Sequence, residues 1–244
     1  MFGFFKKDTI PSVVDTQLSL TTDIHSHVLP GIDDGAPDIA ASLVLLNGMY
    51  DLGIRKVVAT PHIIADLYRN DATIINHALD KVKEAVAASG LKMEISAAAE
   101  YMLDDYFVSL LRSGSPLLKV HNNKILTELS YASPNDNLQE IAFEIMTNGY
   151  LPVMAHPERY FYYHNNYEAY DRLKDLGFLL QVNLLSLTGY YGKPVAKVAK
   201  HLFEEGLVDL VGTDMHHTKH LATLKENASL INQYINGHSF NEFK

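Results

Sequence analysis

The chain has 244 residues, 47% hydrophobic and 20% charged, and 29 Asp and Glu outnumber 20 Lys and Arg for a formal net charge of −9. That balance fits an ordinary soluble domain and argues against a nucleic-acid binder, which needs a basic face for phosphates. The absence of cysteine removes disulfides and thiolate metal sites, and with no apolar run long enough for a membrane span a cytoplasmic location is expected.

Residues 1–19 read as an N-terminal arm. Its Phe2, Phe4 and Phe5 suit packing on the body, on another copy in a homo-oligomer, or on a membrane surface, and the sequence does not choose. Residues 20–244 read as one catalytic domain, because a single beat repeats through them: a short apolar run, a polar loop, an amphipathic helix. Leu20-Thr21-Thr22 leads into Asp23-Ile24-His25-Ser26-His27. Successive strand side chains alternate faces, so His25 and His27 point the same way and suit one metal ion. Asp33 and Asp34 follow as further donors.

A helix opens at Pro37, tolerated in a first turn, and stops by Gly53. The run 56–60 delivers Pro61-His62, and a helix over 71–89 ends at Gly90. The run 93–99 delivers Glu100, a weaker helix spans 104–112, and the run 124–127 delivers Glu128. A helix over 136–148 precedes the run 151–155, which delivers His156-Pro157-Glu158-Arg159. A helix near 167–176 leads to the run 178–182 and Asn183. The last cycle is a helix over 194–205, the run 207–211, then Asp214-Met215-His216 and a final helix within 221–234.

Seven strands alternating with helices predict a parallel α/β sheet. A distorted (β/α)7 TIM-like barrel with its site at the strands' C-terminal ends is expected; an open doubly wound sheet is the alternative. Strand-end donors follow six of the seven runs: His25, His27, Asp34, His62, Glu100, Glu128, His156, Asp214 and His216. One tetrahedral ion would use three or four of them, so nine imply two or three divalent ions. Mixed imidazole and carboxylate ligation suits manganese, iron or zinc. Such sites generate a bridging hydroxide for attack on a phosphate ester. His77, His121, His164, His201 and His238 read as surface or helix residues, whereas His217 and His220 lie near Asp214 and read as outer or substrate contacts.

These motifs, from Asp23-Ile24-His25-Ser26-His27 through Pro30-Gly31-Ile32-Asp33-Asp34-Gly35, Thr60-Pro61-His62 and His156-Pro157-Glu158-Arg159 to Asp214-Met215-His216, resemble the polymerase-and-histidinol-phosphatase (PHP) family. The likeness is closest to its bacterial capsule and exopolysaccharide branch of manganese-dependent protein-tyrosine phosphatases. The resemblance implies three ions: one on His25, His27, Glu100 and Asp214, a second on Glu100, Glu128 and His156, and a third on Asp34, His62 and His216. It also implies phosphotyrosine substrates, such as the C-terminal tail of a bacterial tyrosine kinase.

Arg159 matches an arginine that this branch sets against the substrate phosphate, a role a guanidinium fork fits. A second arginine usually follows the final Asp-x-His, but here that stretch is His217-Thr218-Lys219-His220-Leu221. Lys219 or Arg69 is the expected substitute, Tyr160 and its aromatic neighbours are candidates for holding the substrate ring, and His217 or His220 for any proton the leaving group needs. Histidinol-phosphate phosphatase or another PHP phosphoesterase is the rival enzyme, and a metal-binding regulatory module the rival outside catalysis.

Overall fold

In a computed structural model, residues 16–242 are described; Phe2, Phe4 and Phe5 lie outside them. Eight helices and nine short strands alternate among the described residues. The strands are β1 (Thr22–Asp23), β2 (Lys56–Ala59), β3 (His62–Ile63), β4 (Glu94–Ala97), β5 (Glu100–Met102), β6 (Lys124–Glu128), β7 (Leu151–Ala155), β8 (Leu179–Asn183) and β9 (Leu210–Gly212). Every ladder is parallel, in two sheets ordered β1-β2-β4 and β3-β5-β6-β7-β8-β9.

Nine strands make only seven stretches. β2 and β3 are one run interrupted at Thr60-Pro61, where proline has no N–H for the ladder. β4 and β5 are likewise one run interrupted at Ala98-Ala99. Hydrogen bonds carry the pairing across both breaks, from Ala98 N to Ala59 O (2.8 Å) and from Glu100 N to Pro61 O (3.1 Å). The ring closes between the first and last stretches. Asp214 N donates to His25 O (2.8 Å) and His27 N to Met215 O (2.9 Å). Further down, side chains take over the ladder's work. Asp23 Oδ1 accepts from Thr213 N at 3.0 Å, while Asn241 Nδ2 donates to Thr22 O and Val211 O at 2.9 and 2.8 Å.

The strands' two faces divide the core. Val57, Ala59, Ile95, Tyr101, Ile125, Met154, Leu180, Val182 and Val211 join the large cluster shared with the helices. Residues of the opposite parity, Val58, Ala98, Leu126, Val153, Ala155 and Leu210, form a separate small cluster with Ile24 and Val120 inside the ring. Side chains two residues further on share a face, so Glu100 and Glu128 stand directly above Ala98 and Leu126.

The helices are α1 (Ile39–Asp51), α2 (Ala72–Ser89), α3 (Asp105–Arg112), α4 (Leu138–Thr147), α5 (Glu168–Asp175), α6 (Lys193–Glu204), α7 (Thr218–Glu226) and α8 (Ala228–Ile235). Asp38, Asp71 and Asp104 cap the first three, each accepting a backbone N–H from the opening turn. The expected single last helix is two, because the chain breaks at Asn227. The chain is tied to the body before the expected arm boundary: Leu18 is buried and its N–H donates to Leu52 O at 2.7 Å.

Candidate metal centre

The nine donors converge on one end of the ring. His25 and His27 lie with ring centroids 5.4 Å apart and their Nε2 atoms only 3.3 Å apart. Each Nδ1 is already engaged: His25 by Gln181 Oε1 at 2.7 Å and His27 by Asp33 Oδ2 at 2.7 Å. With Nδ1 donating, both Nε2 lone pairs face one space, which calls for a shared cation or proton. Asp214 Oδ1 stands 3.4 Å from each Nε2. Glu100 Oε2 lies 3.2 Å from His25 Nε2, 3.4 Å from His27 Nε2 and 3.1 Å from His62 Nδ1, yet this buried oxygen makes no hydrogen bond. A buried carboxylate oxygen left without a partner amid three imidazoles fits a metal ligand.

Four groups bring donor atoms within 4.8 Å of one another: His27, Asp34, His62 and His216; His25, His27 and Glu100; His25, His156 and Asp214; and His62, Glu100 and Glu128. They contain all nine expected donors. The groupings differ from expectation at two points: Asp214 falls with His25 and His156 rather than with His27 and Glu100, and Glu128 is separated from His156. Glu128 Oε1 sits 2.8 Å from His62 Nδ1, while His156 Nε2 meets the other Glu100 oxygen at 3.0 Å. Glu128 and His156 therefore share no group among the described residues.

Two donors sit on strained backbone. His156 and Asp214 have φ of 35° and 51°, a region that non-glycine residues enter where surrounding structure holds them. For His156 the turn Pro157–Arg159 supplies that hold. Its buried Glu158 accepts from Asn183 N (2.9 Å) and Ser186 Oγ (2.7 Å).

The charges are mutually set. Burial alone would lower His25, but Glu100 and Asp214 lift it to about 10. Burial would raise Glu100, yet His25 and His62 draw it well below the usual carboxylate range. Asp214 is likewise low against its burial, held by His25, His216 and Arg159. Burial lowers His156 to about 4, and burial together with the Glu100 charge raises Glu128.

A cavity of about 260 Å³ opens over the donors, lined by Asp34, His62, His156, Asp214, His216, Tyr131, Arg159, Tyr191, His217 and His220. Arg159 Nη1 donates to Asp214 Oδ2 at 2.8 Å, and its guanidinium lies 4.3 Å from the Tyr191 ring centroid and 5.1 Å from that of Tyr131. The expected substitutes for a second arginine lie elsewhere. Arg69 is exposed and its Nε donates to Ala65 O at 2.7 Å; Lys219 Nζ sits 5.3 Å over the Tyr190 ring. Neither lines the cavity. Tyr160, expected on the substrate wall, is fully buried, its hydroxyl taken by Leu129 N (2.9 Å) and Ala155 O (3.1 Å). It supports the wall from behind, stacking on Tyr162. Tyr131 on the rim, Asp33 behind His27, and Gln181 and Asn183 behind His25 and Asp214 were not singled out by the sequence for these places; for Asn183 the only signal is its position at a strand end.

No helix among the described residues is long and apolar enough to cross a membrane. The tyrosine-protein phosphatase YwqE of Bacillus subtilis is 29% identical over 198 residues, covering 81% of this chain and 78% of its own length. The tyrosine-protein phosphatase CpsB of Streptococcus agalactiae is 29% identical over 202 residues, covering 80% and 82%. A solved structure, described among YwqE from Bacillus subtilis and CpsB from Streptococcus pneumoniae as "unique metal-dependent tyrosine phosphatases", superposes with a TM-score of 0.77 at 26% identity, covering 90% of this chain and 96% of that one. Histidinol phosphate phosphatase from Lactococcus lactis, at 11% identity and a TM-score of 0.54, shares the fold. The model of the capsular polysaccharide synthesis family CpsB/CapC matches residues 21–242, and the chain belongs to that family.

Proposed function

We propose that this chain is a cytoplasmic, divalent-metal-dependent phosphatase acting on phosphotyrosine in a protein, the C-terminal tail of a bacterial tyrosine kinase that controls capsular or exopolysaccharide synthesis. The observation that supports this most is one cavity in which Arg159 faces the donor cluster, in a chain whose relatives carry the names of tyrosine-protein phosphatases. His25, His27, Glu100 and Asp214 would hold one ion, Asp34, His62 and His216 another, with Glu100, Glu128 and His156 extending the set. Manganese is the ion proposed. Ions held there supply Lewis acidity toward phosphoryl oxygens and lower the pKa of the attacking water.

The chain's own residues do the rest. Arg159, flanked by Tyr131 and Tyr191, offers its fork to phosphoryl oxygens. The tyrosine leaving group has a phenol pKa near ~10, so it departs without a strong acid. His217 stands on the exposed rim, its Nδ1 accepting from His220 N at 3.4 Å, which leaves Nε2 to carry a proton where one is needed.

The test is manganese-supplied protein assayed side by side on a phosphotyrosyl peptide, histidinol phosphate and a dinucleotide. The highest kcat/KM is expected on the peptide, with loss of turnover in chelator. Preference for histidinol phosphate, or turnover indifferent to chelator, contradicts the reading.

A further inference from the structure

Six of the seven strand stretches end in metal-type donors; β8 ends in two amides. On β8, Leu179 packs on the interior cluster, and Gln181 and Asn183 follow at two-residue intervals on the same face. Their register partners are Leu210 and Gly212 of β9, the run that goes on to Asp214. Both amides are fully buried. On this strand, amides occupy the layer that carries carboxylates on β5 and β6.

Their hydrogen bonds run in one direction. His25 Nδ1 donates to Gln181 Oε1 at 2.7 Å, Gln181 Nε2 donates to Asn183 Oδ1 at 3.0 Å, and Asn183 Nδ2 donates to Asp214 Oδ2 at 2.7 Å. The relay starts and ends on two groups that face each other, His25 Nε2 and Asp214 Oδ1, 3.4 Å apart. Gly212 leaves room for it, since a Cβ there would lie 2.7 Å from His25 Cβ and 2.9 Å from Gln181 Nε2. The backbone N–H of Asn183 is fixed in turn by Glu158 Oε1 at 2.9 Å.

We propose that Gln181 and Asn183 are positioning residues forming a neutral amide relay. It keeps the His25 proton on Nδ1 and turns Asp214 Oδ1 inward, so that both groups meet the same divalent cation. This rests on the reading that the site holds divalent ions. His27 is served differently, by the Asp33 carboxylate at 2.7 Å. A carboxylate at 181 would add negative charge beside Glu100 and Asp214, whereas an amide fixes the tautomer without adding any. An amide also has a donor end and an acceptor end, so the relay depends on direction as well as on size.

The experiment is calorimetric titration of chelator-stripped protein with manganese, with thermal melting of the stripped form alongside. Gln181→Met removes the acceptor at similar length, and the ion held by His25 should bind roughly 10- to 100-fold more weakly. Gln181→Glu keeps the acceptor for His25 Nδ1 but loses the donor to Asn183 Oδ1, so it should recover only part of the affinity that Gln181→Met loses. Asn183→Asp keeps the size but sets a carboxylate against Asp214, so it should lose more affinity than Asn183→Ala. Wild-type affinity in both Gln181→Met and Asn183→Asp overturns the relay while leaving the phosphatase reading intact. So does an Asn183→Asp milder than Asn183→Ala, or an affinity loss that follows the melting temperature in every variant, since both indicate packing alone. Failure of the wild type to take up manganese overturns the phosphatase reading itself, and the relay with it.

Discussion

Two parts of the same ring, stacked along the strands' inward face, are built from opposite materials. The lower layer is Val58, Ala98, Leu126, Val153 and Leu210, a small apolar cluster closed on itself. The upper layer holds Glu100, Glu128, Gln181, Asn183 and Asp214, just as deeply buried but polar or charged. Burying apolar groups stabilises the fold, at roughly 25 cal/mol per Å² removed from water. Burying charge costs free energy unless each charge meets a partner. In the upper layer the partners are each other and five imidazoles, and Glu100 Oε2 is still left without a hydrogen bond. The lower layer therefore holds the ring together, and the upper layer holds what the ring is for.

The largest test of that division is Glu100→Gln. The change keeps the shape but removes a charge that faces His25, His27 and His62 within 3.4 Å. Ion content and turnover should both fall, by more than the roughly 10- to 100-fold typical of an outer partner, while the stripped protein still folds at a lowered melting temperature, because His25 and His62 lose the buried charge that faces them. Elemental analysis and melting curves on one preparation decide it, and wild-type ion content removes Glu100 from the centre.

Leu126→Ala, two residues below Glu128, is the mirror experiment. It should cost about 2–5 kcal/mol of stability and leave the ion content per folded molecule unchanged. Denaturant unfolding with metal analysis reads both, and lost ions at unchanged stability would dissolve the distinction between layers.

Arg159→Ala touches the upper layer without being a ligand. Asn183 also holds Asp214 Oδ2, so the ions should stay. Losing the phosphate contact should cost about 2–4 kcal/mol of transition-state stabilisation, a fall of roughly 30- to 1,000-fold in kcat/KM on a phosphotyrosyl peptide. Arg159→Lys should recover part of it. Equal kcat/KM in all three proteins would move the phosphate contact away from Arg159.

The smallest shift is in pH. The folded pKa of His25, about 10, lies above its ordinary 6.5. Its contribution to the ion-free fold is therefore complete below about pH 6.5 and is lost as pH rises through the folded value. Melting of stripped protein should drop from about pH 6.5 to about pH 9, and manganese should flatten that drop by taking the proton's place. A stripped protein that gains stability over this range contradicts the charge balance described for His25.

The sequence made the repeat of strand and helix legible, because apolar runs and turn residues alternate in it, and it made the nine donors legible because each follows such a run. It did not reveal that two runs would break, although Pro61 carries the reason for one of them. Adjacent carboxylates looked alike on paper, yet Asp33 turns inward to His27 while Asp34 stays half exposed beside His62 and His216. Tyr160 read as a wall residue because a tyrosine after Arg159 has the same letters whether its hydroxyl faces a cavity or Leu129. Arg69 sits on an exposed loop and Lys219 in the exposed first turn of α7, and sequence spacing does not fix where such long side chains point. Gln181 and Asn183 are neutral amides, and residue type alone does not mark them as partners of metal ligands. Their signal was an absence, a single strand ending without a donor among seven.

The central claim is that the upper layer is a multinuclear metal site. Elemental analysis of purified protein, paired with anomalous diffraction from a manganese-soaked crystal, tests it most directly. At least two ions within about 4 Å of each other are expected, the usual separation in two-metal sites, among the His25, Glu100, Asp34 and His62 groups. A single ion at full occupancy held by His25 and His27 alone, or none, would contradict it.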